Sequence, residues 1–412
     1  MSITAPTVAA GSSPRQRVTR RSVLACGAAV LVGGTVAAGR AGRAAAATNP
    51  VQLGPATLLQ RNPAKVPVPT PTPPPVQVPG YAPRFAKWCY SGNTAAAGSD
   101  RWTWQTLQGD RVKPAGVNPL QVYATAVQRP SDSSGITQCV LPADVQDAWF
   151  LRNSAGGTIH RVTGDPGGDY ALDVGHPGFR AASAAFLVAK CRKEGWTGIF
   201  HDEINGEFAW GAWDSAAVKY PTPADFQKAQ TGYVAYLGAA LRAAGFSLAL
   251  NVGEAIYRAW CDSLALTGAT ISAEFFVAGN RGPDGYATRE NGTWAARVEW
   301  LEWSLANRPS VVVHEMQLDV APVMYGMCTY FLVDNGKGAY GASLEYSAGT
   351  PWLDCYTKAQ QLGAPLGART EVVPGVWRRD FQRGHVLVNC STSAATYQGA
   401  AIAPTSGALV LS

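Results

Sequence analysis

Acids and amides recur in one setting in this sequence: the ends of short apolar runs. The clearest case is Gly198-Ile199-Phe200-His201-Asp202-Glu203-Ile204-Asn205, where an apolar strand-like run ends in two adjacent carboxylates. Similar endings are Asp173 in YALDVGHP, Asn251 in SLALNVG, Glu274 in TISAEFFV, His314-Glu315 in SVVVHEM and Asp334-Asn335 in YFLVDNG. Two carboxyls facing each other can cleave an acetal bond. One donates a proton to the leaving oxygen; the other attacks or activates water. Asp202 and Glu274 are the candidates for that pair. Side chains alternate along a strand, so if Asp202 faces a site, Glu203 faces elsewhere. Glu274 lies between Ala273 and Phe275-Phe276, and apolar surroundings favour the neutral, proton-donating form of a carboxyl. Asp173, Asn251, Glu203, Glu315 and Asp334 are candidate substrate contacts, and Trp88 and Tyr90 are candidate stacking surfaces for a sugar ring. The plain alternatives are a helix cap for Asp173, turn residues for Asn251 and Glu203, and a buried ion pair for Glu274.

Such residues need a frame that brings them together. Eight runs read as strands: Phe85–Tyr90, Leu120–Val127, Ala148–Asn153, Gly198–Glu203, Ser247–Gly253, Thr270–Val277, Ser310–Met316 and Tyr330–Gly336. Several are continuously apolar, as expected of parallel strands covered on both faces. Helical spacing of apolar residues fills the gaps 178–194, 224–244 and 293–307. This alternation predicts a (β/α)8 barrel over 81–366, with an open doubly wound sheet as the competing architecture. In a barrel, strand ends share one bowl, which collects the scattered acids. The stretch DRWTWQTLQGDRVKPAGVN is a poor helix and reads as an irregular excursion. Residues 367–412 change texture, with short alternating runs and turns at Pro374-Gly375 and Arg383-Gly384, and predict a small antiparallel sandwich-like β unit.

The YALDVGHPGFRAASAAFLVAKCRKEGWTGIFHDEIN stretch resembles the glycosyl hydrolase-like TIM-barrel families, related to dextranase and α-galactosidase barrels. Their pattern is Leu-Asp, a helix, then a Gly-Ile/Val-Phe-x-Asp strand. The tail VVPGVWRRDFQRGHVLVN resembles the β unit after that barrel, so the likeness covers about Tyr81 to Ser412. It implies a carbohydrate-active enzyme in which Asp202, at the end of strand 4, is the nucleophile. It also implies Glu274, at the end of strand 6, as acid/base, although ISAEFF departs from the pattern. A retaining two-carboxylate glycosidase is the expectation; the alternative is a carbohydrate-binding barrel without turnover.

The 412-residue chain begins with Thr19-Arg20-Arg21-Ser22-Val23-Leu24, a short apolar run and an Ala-rich stretch. Residues 1–47 therefore read as a twin-arginine export signal, too short for a lasting membrane span. That segment holds six arginines and no acid. Removing six from 34 basic residues leaves 28 against 28 acids. The basic character thus belongs to the signal and is no footprint of nucleic-acid binding. Residues 48–80 form a proline-rich linker, with eight prolines between Pro63 and Pro79. The expected product is a secreted or extracytoplasmic, cell-wall-associated monomer free of cofactor and metal. Five dispersed histidines give no zinc pattern, and no P-loop or G-x-S-x-G elbow occurs. Gly336-Lys337-Gly338-Ala339-Tyr340-Gly341 matches G-x-G-x-x-G but reads as a loop after the eighth strand. Seven cysteines outside the signal are too dispersed to give a pairing, and some read as small apolar residues.

Overall fold

The structure, a computed structural model, describes residues 80–89, 102, 104–107, 120–124, 127–128, 139–160, 170–204, 206–208, 213–252, 258–264, 267–274, 276–278, 286–315, 318–343 and 352–412. Residues 1–47, read from sequence as an export signal, and nearly all of the proline-rich stretch lie outside them.

The first strands are β1 (Ala86–Cys89), β2 (Trp104–Leu107) and β3 (Leu120–Ala124). A short excursion follows, in which β4 (Val127–Gln128) pairs antiparallel with β5 (Tyr170–Ala171). Then come α1 (Pro177–Glu194), β6 (Gly198–His201), α2 (Pro223–Ala243), β7 (Ser247–Asn251), α3 (Arg258–Leu264) and β8 (Thr270–Glu274). The barrel part ends with α4 (Thr293–Asn307), β9 (Val311–Glu315), α5 (Val320–Phe331), β10 (Gly338–Ala342) and α6 (Asp354–Ala359). Eight strands make one parallel sheet in the order β1-β2-β3-β6-β7-β8-β9-β10. A parallel bridge pairs Phe85 with Tyr340, and the Tyr340 N–H donates to the Arg84 carbonyl at 3.1 Å, so the last strand returns to the first. The fold is a (β/α)8 barrel.

Helix ends follow local chemistry. Thr222 caps α2 with a reciprocal box to Asp225, and Pro223 fills the first turn, where its missing N–H costs nothing. Gly195 ends α1 in the left-handed conformation at φ 73°.

Two assignments from sequence need correction. Ala148–Asn153 is not a barrel strand: Asp147–Trp149 is a short 3-10 turn, Phe150 bridges Leu172, and Trp149 packs edge-on against Phe179 of α1. The missing strand is β2, in the stretch taken for an irregular excursion. Tyr330–Gly336 is likewise not the eighth strand. It is the end of α5 and the following turn, and the true strand is β10, in the stretch read as a glycine loop. Helix α5 is buried on nearly every side from Pro322 to Phe331, so it shows no amphipathic period. In β10 the glycines answer to close packing. A Cβ on Gly341 would lie 2.7 Å from the Ala86 carbonyl, and one on Gly338 would lie 2.8 Å from the Tyr330 hydroxyl.

The C-terminal part is an antiparallel sheet of β11 (Thr370–Val373), β12 (Val376–Phe381), β13 (Gly384–Asn389) and β16 (Ser406–Leu411). A separate hairpin joins β14 (Ala395–Tyr397) to β15 (Ala400–Ile402). Strand β16 lies against α5 so closely that a Cβ on Gly407 would sit 2.2 Å from the Met324 carbonyl. Six described cysteines are free thiols, five of them buried, and act as small apolar side chains.

Candidate functional site

The strand registers decide which residues face the barrel axis. Ala86, Phe200, Ala249, Val312 and Ala339 form a buried cluster of their own, separate from the large core under the helices. Registered neighbours share a face of the sheet. Phe200 pairs with Ala249, Ala249 with Thr270, Asn251 with Ser272, Ser272 with Val312, Glu274 with His314, and His314 with Gly341. The inner face therefore carries Asn251, Ser272, Glu274 and His314. Asp202, two residues beyond Phe200, follows the same alternation.

Asp202, Asn251 and Glu274 thus lie at the C-terminal ends of three successive parallel strands, where barrels gather their reactive groups. All three are buried. The Asn251 amide nitrogen donates to Asp202 Oδ1 at 2.6 Å, so the amide orients the carboxylate. Asp202 and Glu274 are two strands apart, about 10 Å along the sheet at ~4.8 Å per strand. Their side chains converge toward the axis. Among the described residues the buried cluster on this face is Ala86, Phe200, Ala249, Val312 and Ala339.

His314, inward and fully buried beside Glu274, joins this group. Burial lowers its imidazole to about 3, so the ring is neutral at neutral pH. It was not among the candidate contacts read from sequence. Its parity with Val312 was the available signal.

The other candidates sit elsewhere. Glu203 follows Asp202 in the left-handed region, with φ 57°, and forms the turn leaving β6. Asp173 lies just before α1, and its carboxylate is engaged by its own surroundings. Lys219 Nζ donates to Oδ2 at 2.5 Å, the Gly175 N–H to Oδ1 at 2.9 Å, and the Tyr220 hydroxyl to Oδ1. Burial, then the bond to Asp173, raises the Tyr220 phenol.

Glu315 faces outward, and here the expected sugar contact is corrected. Its Oε1 accepts the Val277 N–H at 2.7 Å and its Oε2 the Ala278 N–H at 3.0 Å. It holds the segment that follows Glu274, which Arg297 also grips through the Phe276 carbonyl at 2.6 Å. Asp334 requires a second correction. It lies on the connection entering the N-terminal end of β10, away from the bowl. Tyr81 donates to its Oδ2 at 2.8 Å, and Arg379 of β12 donates to its carbonyl at 2.8 Å. Burial raises its carboxyl. Its role is to tie the C-terminal sheet to the barrel. Trp88 lies in β1, but its side chain, like all of Tyr90, is outside the described residues.

Among the described residues no group of three or more His, Cys, Asp or Glu side chains could hold a metal ion, and no helix is long and apolar enough to cross a membrane.

Residues 121–385 match hypothetical glycosyl hydrolase family 15, well over half of the chain. The chain belongs to that family. Membership places it among the glycoside hydrolases. No curated protein matches the sequence at a significant level. Solved structures with a similar fold include the α-N-acetylgalactosaminidase of Bifidobacterium bifidum in complex with GalNAc (TM-score 0.41, 9% identity, 79% of this chain and 57% of that one). The α-amylase of Geobacillus thermoleovorans complexed with acarbose is another (TM-score 0.39, 9% identity, 75% and 87%). A third is a cycloisomaltooligosaccharide glucanotransferase from Paenibacillus sp. (TM-score 0.38, 10% identity, 57% and 38%), so this chain spans well under half of that enzyme's length.

Proposed function

We propose that this chain is an exported glycoside hydrolase that cleaves an oligo- or polysaccharide with retention, using Asp202 as nucleophile and Glu274 as general acid/base. The supporting observation is the inward row Asp202, Asn251 and Glu274 at the C-terminal ends of three successive barrel strands. Asn251 takes up one oxygen of Asp202 and turns the carboxylate, as suits a nucleophile that must present one face to an anomeric carbon. In the first step Asp202 attacks that carbon while Glu274 protonates the leaving oxygen. In the second, Glu274 removes a proton from water, which displaces Asp202. A retaining pair requires carboxyls about 5 Å apart; roughly 6.5–9.5 Å would mean an inverting reaction. Export rests on the twin-arginine pattern at Thr19–Leu24.

The test is a panel of α- and β-linked glycans and aryl glycosides offered to the wild-type protein and to Asp202→Asn, with folding checked by circular dichroism. Turnover of one substrate class that disappears in a folded Asp202→Asn protein is expected. Glycan binding without turnover in the wild type would replace the enzyme by a carbohydrate-binding barrel.

A further inference from the structure

Behind Asp202, on the outer face of β6, lies a buried polar chain that two-carboxylate hydrolysis does not use. His201 is fully buried and carries a hydrogen-bond partner on each ring nitrogen. Its Nδ1 is 2.8 Å from the carbonyl oxygen of Asp202, and its Nε2 is 3.1 Å from the Tyr233 hydroxyl. Cys139 Sγ is 3.4 Å from the same Nε2. Tyr233, on α2, is 2.8 Å from Ser183 Oγ on α1, and its hydroxyl faces Cys139 Sγ at 3.3 Å. The proton positions follow from the inventory of donors. A carbonyl only accepts, so Nδ1 carries the proton. Burial lowers this imidazole to about 4, so at neutral pH the ring is neutral and Nε2 must accept. Two donors face Nε2, the Tyr233 hydroxyl at 3.1 Å and the Cys139 thiol at 3.4 Å, and either keeps it unprotonated.

The peptide that His201 holds is the one needing support. Glu203 follows at φ 57°, a region that non-glycine residues seldom occupy. Past it the chain is tied again, where the Ile204 N–H donates to the Asn251 carbonyl at 3.0 Å. Asp202 therefore projects inward from a turn pinned on the outer side by His201 and on the far side by strand β7.

We propose that His201 is a positioning residue for Asp202: its Nδ1–H clamps the Asp202–Glu203 peptide, and the Tyr233 hydroxyl and Cys139 thiol at Nε2 fix the tautomer that allows it. The proposal rests on Asp202 being the nucleophile, and the variants separate the two.

The experiment compares His201→Asn, His201→Gln, Tyr233→Phe combined with Cys139→Ala, and Asp202→Asn in the full chain, assayed with an aryl glycoside that the panel shows to be hydrolysed. The amide nitrogen of Asn superposes on Nδ1 and can still donate to the Asp202 carbonyl, whereas that of Gln lies near Nε2 and cannot. The expected result is that His201→Asn keeps kcat within about fivefold while His201→Gln loses about 10²-fold in kcat, with KM unchanged in both. Nitrogen-15 NMR of histidine-labelled wild type should show His201 as the Nδ1–H tautomer at pH 7. In Tyr233→Phe combined with Cys139→Ala, which clears both donors from Nε2, the Nε2–H form should gain population and kcat should fall. That variant also decides the matter if His201→Gln fails to fold. Equal kcat losses in Asn and Gln variants, or an Nε2–H tautomer in the wild type, would overturn the clamp while leaving Asp202 as nucleophile. Unchanged turnover in Asp202→Asn would overturn Asp202 itself, and with it the catalytic purpose of the clamp.

Discussion

The two faces of the barrel strands carry different polar groups for different reasons. Outside, His201 and Glu315 sit among large apolar side chains such as Ile199, Leu250, Val313 and Tyr340. Each has a hydrogen bond to backbone: His201 to the Asp202 carbonyl, Glu315 with two N–H groups after Glu274. Inside, Asp202, Asn251, Glu274 and His314 share the face that carries Phe200, Ala249 and Val312. Burying a polar group is tolerable when its partners are fixed. The outer set meets that condition through the main chain and so shapes the strand ends. The inner set presents oxygens toward whatever enters the barrel. Inner polar groups should therefore report on turnover directly, and outer ones on stability, His201 reaching turnover only through the Asp202 peptide it holds.

The largest expected effect is on the inner face. Asp202→Asn and Glu274→Gln should each lower kcat by about 10²–10⁴-fold, the usual worth of a positioned acid or base, with little change in melting temperature. Steady-state kinetics beside thermal denaturation would check this, and a large loss of stability with unchanged kcat would break the division of faces. Next comes Glu315→Ala on the outer face, which leaves the Val277 and Ala278 N–H groups buried without their acceptor. At about 1–3 kcal/mol each, the loss should be about 2–6 kcal/mol in urea unfolding.

The third expectation concerns pH. Burial lowers His201 from 6.5 to about 4. Above pH 6.5 this costs nothing. As pH falls from 6.5 to 4, the unfolded chain takes up the proton first, so stability declines by on the order of 3 kcal/mol and levels off below 4. His314 adds a decline of the same sign extending to about pH 3. Urea midpoints at several pH values should show a shallower slope for His201→Asn; identical slopes would place the proton uptake elsewhere. The smallest effect is expected at Glu203. Glu203→Gly removes the left-handed strain at φ 57° and should stabilise by about 1 kcal/mol, with turnover kept within a few-fold.

Much of this arrangement was legible in the sequence, and the limits have physical causes. Five of the seven barrel strands after the first, β3, β6, β7, β8 and β9, lie within apolar runs read as strands, because burial on both faces leaves a composition signal. Asp202 and Glu274 were visible as acids breaking such runs. Strand β10 was hidden because its neighbours require glycine at 338 and 341, and glycine mimics a loop. Helix α5 was hidden because burial on all sides erases its period. Asp334 and Glu315 were misread for one reason: an acid at the end of an apolar run looks the same whether it enters the bowl, caps the other end, or turns outward. Only register separates these cases.

The most direct measurement is azide rescue of two inactive variants, using an activated aryl glycoside that the wild type hydrolyses. Asp202→Ala should regain turnover with azide and release the glycosyl azide of inverted anomeric configuration, since azide replaces the nucleophile. Glu274→Ala should release the azide of retained configuration, since azide then attacks the intermediate on Asp202. Reversed configurations, or rescue of neither variant with an active wild type, would contradict the assignment of Asp202 and Glu274.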